Sequence, residues 1–402
     1  MLFNIKKETF LKRNFPLLLF GFLLTFFSSF GQTFLLSLYV PAVEAMLQIS
    51  NTEFGSVYAV ATIGSALTLP WLGSYFDKVD IKPYSLAVII GLACSLLLLS
   101  FSYHIVVVVI AFYGLRLFGQ GLLSHTSISA MARYFSANRG KAIGLVGLGY
   151  PAGEALLPIA IALLIGGLGW RGALQLSAAN ALLLLVPLVL ILLHLSKSRL
   201  EEFKVQQTVT KTTSPKLSIW QLFAQKRFWI IAPVVFILGF TNTAVFFFQL
   251  KFGLSRGWSP ELVAGSISAF ALTSALSMLG AGTLVDRFSG KRLFPYYMAP
   301  YLIGLMIFVF FSHPLAYPIG LAFMGLSNGA GSTIKSAMLA EIYGIAIIGQ
   351  IRSVFSTVMV LSTALGPVAF GVLLDSGVSF PLIFSLIAVA VLFTVINGMR
   401  RL

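Results

Sequence analysis

Residues 282–292 read GTLVDRFSGKR, and residues 73–82 read GSYFDKVDIK. A shift of 209 residues (282 − 73) lays Gly73 on Gly282, Asp77 on Asp286, Lys78 on Arg287 and Lys82 on Lys291. The same shift brings Ser65-Ala66-Leu67 onto Ser274-Ala275-Leu276, Tyr134 onto Tyr343 and Pro158 onto Pro367. An apolar composition produces chance matches, but it does not easily place Gly-x-x-x-Asp-[Lys/Arg] after the second apolar stretch of each half. The chain is therefore read as a duplicated unit.

Each copy is built from apolar helices. Of the 402 residues, 58% are hydrophobic and only 10% are charged, against the roughly 25% charged that cover a soluble domain. Runs such as 88–101 and 181–193 are nearly free of polar residues, and about 20 apolar residues span a bilayer as a helix. Twelve spans are expected, at about 15–40, 53–76, 84–103, 105–133, 141–166, 172–195, 227–252, 260–285, 294–312, 315–343, 349–374 and 379–399. The fold class is thus an all-α membrane protein with 12 transmembrane helices in two pseudo-symmetric six-helix halves. Residues 1–195 form the N-terminal half, the polar, Thr-rich stretch 196–226 a cytoplasmic linker, and 227–402 the C-terminal half. The apolar stretch from Phe15 to Val40 is too long for a signal peptide.

Charge supplies orientation. The net charge is +15, and 22 of the 27 Lys and Arg fall on one side of the expected spans, together with both termini and the linker. The positive-inside rule makes that side cytoplasmic, and the expected location is the cell (inner) membrane, crossed many times. The cations alternate with apolar spans instead of lining one soluble face, which speaks against a nucleic-acid partner. The single cysteine, Cys94, excludes an intrachain disulfide.

Two parallel six-helix repeats are the build of the major facilitator superfamily, with the substrate site between the halves near the bilayer midplane. GTLVDRFSGKR resembles that superfamily's signature loop, Gly-x-Leu-x-Asp-Arg-x-Gly-Arg-Lys, with one residue inserted before Gly290; GSYFDKVDIK is a weaker copy with Asp80 in place of the second glycine. RLFGQG at 116–121 is similar to the fourth-helix Arg motif. RYFSANRGKAIG at 133–144, GWRGA at 169–173 and GPVAFGVLLDSG at 366–377 resemble the bacterial branch near monocarboxylate and oxalate/formate carriers. The resemblance implies that the loop contacts form in one transport state and break in the other. It makes Gly73, Asp77, Lys78, Gly282, Asp286 and Arg287 the candidate conformational switch. The glycines are expected to let a helix end approach its neighbour closely, and the aspartates to bond nearby N–H groups or the positive end of a helix.

Ionisable side chains within a span are functional candidates. Arg116 and Glu154 each lie about 12 residues, roughly 18 Å, from the outer end of their spans. Arg116 is the candidate for a substrate anion and Glu154 for a coupling proton; a bridge that fixes two helices is the structural alternative. Lys335, in the tenth span, is a further substrate candidate, with snorkelling toward the cytoplasm as its alternative. Gln32, Thr33 and Asn242 offer amides and hydroxyls at mid-depth, either to a solute or as interhelical bonds. His125 is read as a packing or hydrogen-bonding residue, with a proton relay as its alternative.

No phosphate loop G-x-x-x-x-G-K-[ST] occurs, so no nucleotide motor is indicated. Four His, one Cys and no H-E-x-x-H give metal or hydrolytic chemistry no footing; no enzyme activity, metal or cofactor is expected. The excess of positive charge within the spans favours a secondary carrier for a small organic anion such as a monocarboxylate, working by alternating access as a monomer, with membrane lipid around it and protons as the candidate coupling ion. The alternatives are an efflux carrier for apolar or zwitterionic compounds, or a transport-like membrane sensor.

Overall fold

The computed structural model describes residues 2–135, 139–197, 200–201, 222–344 and 348–401, which fold into helices with no strand among them. The expected linker at 196–226 lies largely outside the described residues. Nine helices among the described residues are long and apolar enough to cross a membrane. One of these, Lys141–Leu195, runs for 55 residues and turns at Gly169, whose φ of 71° lies in the left-handed region that glycine enters without strain. The expected fifth and sixth spans meet there.

Two spans depart from expectation in extent, and a third, with the expected bounds, in its polarity. The first, expected unbroken over 15–40, is interrupted: helix Leu2–Phe27 leads into the tight turn Ser28–Gly31, Gln32 is extended, and helix resumes at Thr33–Leu36. The ninth shortens to Ala299–Phe310, since Pro295 removes a backbone donor ahead of it and Pro300 suits only a helix start. The tenth, Ala316–Tyr343, has 28 residues, or about 42 Å of rise, yet falls outside the nine apolar helices. Ser327, Asn328, Ser332, Thr333, Lys335 and Ser336 make its middle polar.

Contacts divide the chain into two compact units. The first holds Met1–Gln32, Gly64–Gly153 and Leu164–Thr212. Its centre is the Leu2–Phe27 helix, with Phe20 and Leu24 fully buried. Small residues set its packing: Ser127 Oγ donates to the Gly21 carbonyl at 2.7 Å, and Thr25 Oγ1 donates to the Val146 carbonyl. A side chain at Gly149 would collide with the Phe22 carbonyl, and one at Gly153 with Ser29. Close backbone approach of this kind holds helices together where lipid supplies no hydrophobic driving force.

The second unit holds Thr33–Ile63, Glu154–Leu163 and Thr213–Leu402. Here the Pro260–Phe288 and Ala316–Tyr343 helices pack backbone to backbone, because any side chain at Gly325 or Gly329 would strike the Phe270 or Ser274 carbonyl. One end is closed by aromatic rings: Phe252 lies 5.0–5.5 Å, centroid to centroid, from Trp258, Phe308, Phe380 and Phe384. Offset and edge-on contacts of this type add about 0.5–1.5 kcal/mol per pair beyond the buried area.

Candidate functional site

The break in the first helix falls on Gln32 and Thr33, two of the sequence candidates. In the first unit, Arg116 is 5% exposed and its Nη1 donates to the Gly31 carbonyl at 3.4 Å. Arg116 sits in a π-helical stretch, Leu115–Leu123, a widened turn found often at functional positions. A Cβ at Gly119 would lie 2.7 Å from the Gly31 nitrogen, so glycine on both sides brings the widened turn against the broken one. Gln32 and Arg116 are thereby gathered around one irregular piece of backbone, the kind of interruption that transporters place at solute sites.

The second unit holds the remaining candidates. Thr33 Oγ1 bonds the Tyr58 hydroxyl. Glu154 is 3% exposed and forms no ion pair or hydrogen bond with a described residue of its unit. Lys335, half-buried, likewise has no such partner there. Asn242 stands in a chain of polar side chains from four helices. Tyr301 Oη donates to Asn242 Oδ1 at 2.8 Å, Asn242 Nδ2 to Asn328 Oδ1 at 3.3 Å, and Asn328 Nδ2 to Ser274 Oγ at 3.1 Å. Sequence reading picked out Asn242 alone. Asn328 was findable, since it stands seven residues before Lys335 and so on the same helical face; Tyr301 carries no such signal in a chain with 13 tyrosines.

Sequence reading also missed a cluster at one end of this unit. Lys251 pairs with Glu44 and bonds the Asn51 side chain. Asp375 accepts from the backbone N–H of Asn51 and Thr52 and from both of their side chains, at 2.6–3.2 Å. The buried Gln249 donates to Ser37 Oγ at 2.7 Å and to the Phe34 carbonyl at 3.2 Å. Below the cluster, a Cβ at Gly55 would lie 2.7 Å from the Pro367 carbonyl oxygen, and one at Gly371 would lie 2.6 Å from that of Asn51. The N-terminal end of Asn51–Ser74 is thus docked, backbone on backbone, against the C-terminal end of Ile348–Asp375.

The repeated loop differs in detail from its reading. Gly73 does face a neighbour, with His125 Nε2 3.3 Å from a notional Cβ, and the His125 ring also contacts Phe76 and lies within hydrogen-bond distance of Ser129 Oγ. Nothing lies within 4 Å of a Cβ at Gly282; the close approach in that copy is made by Gly290, where a Cβ would lie 2.5 Å from the Met338 nitrogen. The inserted residue displaces the contact down the loop, where Ser289 takes a φ of 70°. The two copies are tethered by opposite charges. Arg133 Nη2 donates to the Phe76 carbonyl at 2.9 Å, whereas Glu341 accepts from the Gly290 and Lys291 N–H groups at 2.7 and 2.9 Å. Lys78 is exposed with its Nζ 5.2 Å from the Tyr75 ring centroid, and Asp286 and Arg287 are exposed. The side chain of Asp77 lies outside the described residues.

Long apolar helices, an interrupted helix with polar groups at the interruption, and charged or amide side chains inside the spans mark a multi-pass membrane protein. The family model of the Major Facilitator Superfamily matches residues 21–315 and 249–400, and the chain belongs to that superfamily. Human monocarboxylate transporter 11 is 26% identical over 359 residues, covering 84% of this chain and 70% of the relative. Human monocarboxylate transporter 12 is 24% identical over 313 residues, which are 71% of this chain and only 60% of that relative's length. Multidrug resistance protein 2 of Bacillus subtilis strain 168 is 23% identical, with 86% of both chains covered. The crystal structure of the nucleoside transporter NupG is similar in fold, with a TM-score of 0.72 at 16% identity over 96% of this chain and 98% of that one. These are families of transporters, not enzymes.

Proposed function

We propose that this chain is a secondary carrier of a small organic anion in the inner membrane, driven by protons and working by alternating access. The observation that carries this reading is Lys335, a cation in the middle of a membrane-length helix with no ion pair or hydrogen bond among the described residues. An uncompensated cation at that depth is costly unless an anion visits it. Arg116, Gln32, Thr33 and Asn242 are the further substrate groups, and Glu154 is the proton carrier. The names of two relatives, monocarboxylate transporters 11 and 12, agree with an anionic solute. The Glu44–Lys251 and Asp375 cluster acts as an outer latch, and the Gly73 and Gly282 loops, with Asp77, Lys78, Asp286 and Arg287, as the cytoplasmic switch. Uptake of radiolabelled carboxylates into proteoliposomes with an inward proton gradient tests it. Saturable uptake that collapses with the gradient is expected; absence of uptake of any carboxylate overturns it. The match to a multidrug resistance protein over 86% of both chains keeps efflux of apolar or zwitterionic compounds as the second reading, tested by accumulation of lipophilic cations in the same vesicles.

A further inference from the structure

The Tyr301–Asn242–Asn328–Ser274 chain has a direction. The tyrosine hydroxyl donates, so the Asn242 oxygen faces it and the amino group faces Asn328; that choice in turn points the Asn328 amino group at Ser274. Tyr301 is fully buried, while Asn242, Asn328 and Ser274 are half-buried. The chain therefore starts in the packed interior and ends at an accessible face. Each amide has two N–H donors, and the chain uses one of each. What remains at the open end is one N–H on Asn242, one on Asn328 and the hydroxyl of Ser274. An N–H left unpaired away from water is disfavoured more strongly than the second lone pair of a carbonyl, so this end is selective for acceptors.

Lys335 adds the second half. Seven residues beyond Asn328 on the Ala316–Tyr343 helix, it returns to within about 20° of the same face and lies about 10.5 Å further along the axis. Helical side chains lean toward the N-terminus, which tilts Lys335 toward Asn328. The backbone contact of Gly329 with Ser274 holds the donor end rigid.

We infer that Asn242, Asn328 and Ser274 read the tail of the solute. The transported anion places its carboxylate at Lys335 and carries, a few ångströms away, a second hydrogen-bond acceptor such as a carbonyl, ester or amide oxygen. Tyr301 is a positioning residue that fixes the amide orientations. This rests on the organic-anion reading above. A purely aliphatic tail would strip water from the free N–H groups and return nothing.

Pentanoate and 4-oxopentanoate share length and charge and differ by one acceptor, so their uptake into proteoliposomes tests the inference. The wild-type chain is expected to favour 4-oxopentanoate by about five- to tenfold in KM, the worth of roughly one hydrogen bond, with a smaller difference in maximal rate. Asn328→Asp, which exchanges donors for acceptors at constant shape, is expected to abolish the preference. Tyr301→Phe removes only the hydroxyl, and it is expected to lower the preference more than it lowers pentanoate uptake; it decides the matter if Asn328→Asp fails to fold. Equal KM for both acids in the wild type overturns the inference and leaves the anion carrier standing. Equal loss of both acids in Tyr301→Phe reduces the chain to a structural role and also overturns it. If neither acid is taken up while other carboxylates are, the tail assignment falls alone; if no carboxylate is taken up, both readings fall.

Discussion

The carboxylate of Asp375 caps the helix that begins at Asn51: it accepts from the Thr52 N–H at 2.7 Å and from the Asn51 N–H at 3.2 Å, more than 300 residues away in sequence. An N-terminal helix end carries unpaired N–H groups and a partial positive charge, so a carboxylate from another helix can hold it without a dedicated cation. Asp375→Ala removes all four bonds at once. The expected result is a several-fold rise in modification of a cysteine placed at Ser37, which is buried here, by an impermeant thiol reagent, with Cys94 first replaced by Ala. Unchanged labelling sinks the latch.

Lys251 is the second part of that latch. It is 28% exposed and its partner Glu44 8%. Breaking one side of a fully buried pair costs about 3–5 kcal/mol, whereas replacing both sides is often neutral; partial exposure of Lys251 moves the cost below that range. Lys251→Met is expected to lower the melting temperature of the purified protein, and Glu44→Gln with Lys251→Met to restore it. A double variant no more stable than Lys251→Met alone contradicts the pairing argument.

The fold was legible in sequence because a bilayer imposes one rule on every span: a long apolar stretch closed on its own hydrogen bonds. The Gly-x-x-x-Asp-[Lys/Arg] repeat carries the expectation of a duplication. The site was only partly legible. Arg116, Glu154 and Lys335 announce themselves as charges within apolar stretches. The break at Gln32 does not, since Phe30, Gly31 and Thr33 fit a helix as readily as an interruption; it follows from the close approach of Gly31 to Gly119. Glu44, Lys251, Gln249 and Asp375 stand at span ends, where charged or polar residues are ordinary, and only tertiary structure joins them.

Two acidic residues stand differently at the second copy of the loop. Glu341 binds the loop backbone at Gly290 and Lys291, whereas Asp286 is exposed. Asp286→Asn is expected to reduce transport while expression and melting temperature hold. Glu341→Gln is expected to lower the melting temperature slightly as well, since charge-assisted bonds to N–H groups contribute about 1.5–3 kcal/mol when shielded from water and less for an exposed carboxylate such as this one. Normal transport by Asp286→Asn would remove it from the switch.

Arg116 and Glu154 test the coupling. Each is almost wholly buried and each lies within an apolar stretch, yet they are expected to do different things: Arg116 to meet the anion, Glu154 to take up and release the proton. Two assays separate these roles. Counterflow exchange moves labelled solute against unlabelled solute with no net proton movement, whereas uphill accumulation needs the proton step. Glu154→Gln keeps the shape of the side chain and removes its titration, so accumulation is expected to vanish while exchange persists. Arg116→Gln removes the anion's partner, so both are expected to be lost. Arg116→Gln combined with Glu154→Gln is then expected to fold and to remain inactive in both assays. Were the two residues only structural, the double variant would instead recover transport, because no charge would be left stranded in a site of low polarity. Undiminished proton-driven accumulation in Glu154→Gln would exclude the acid from coupling and shift the search to the other acidic groups of the chain.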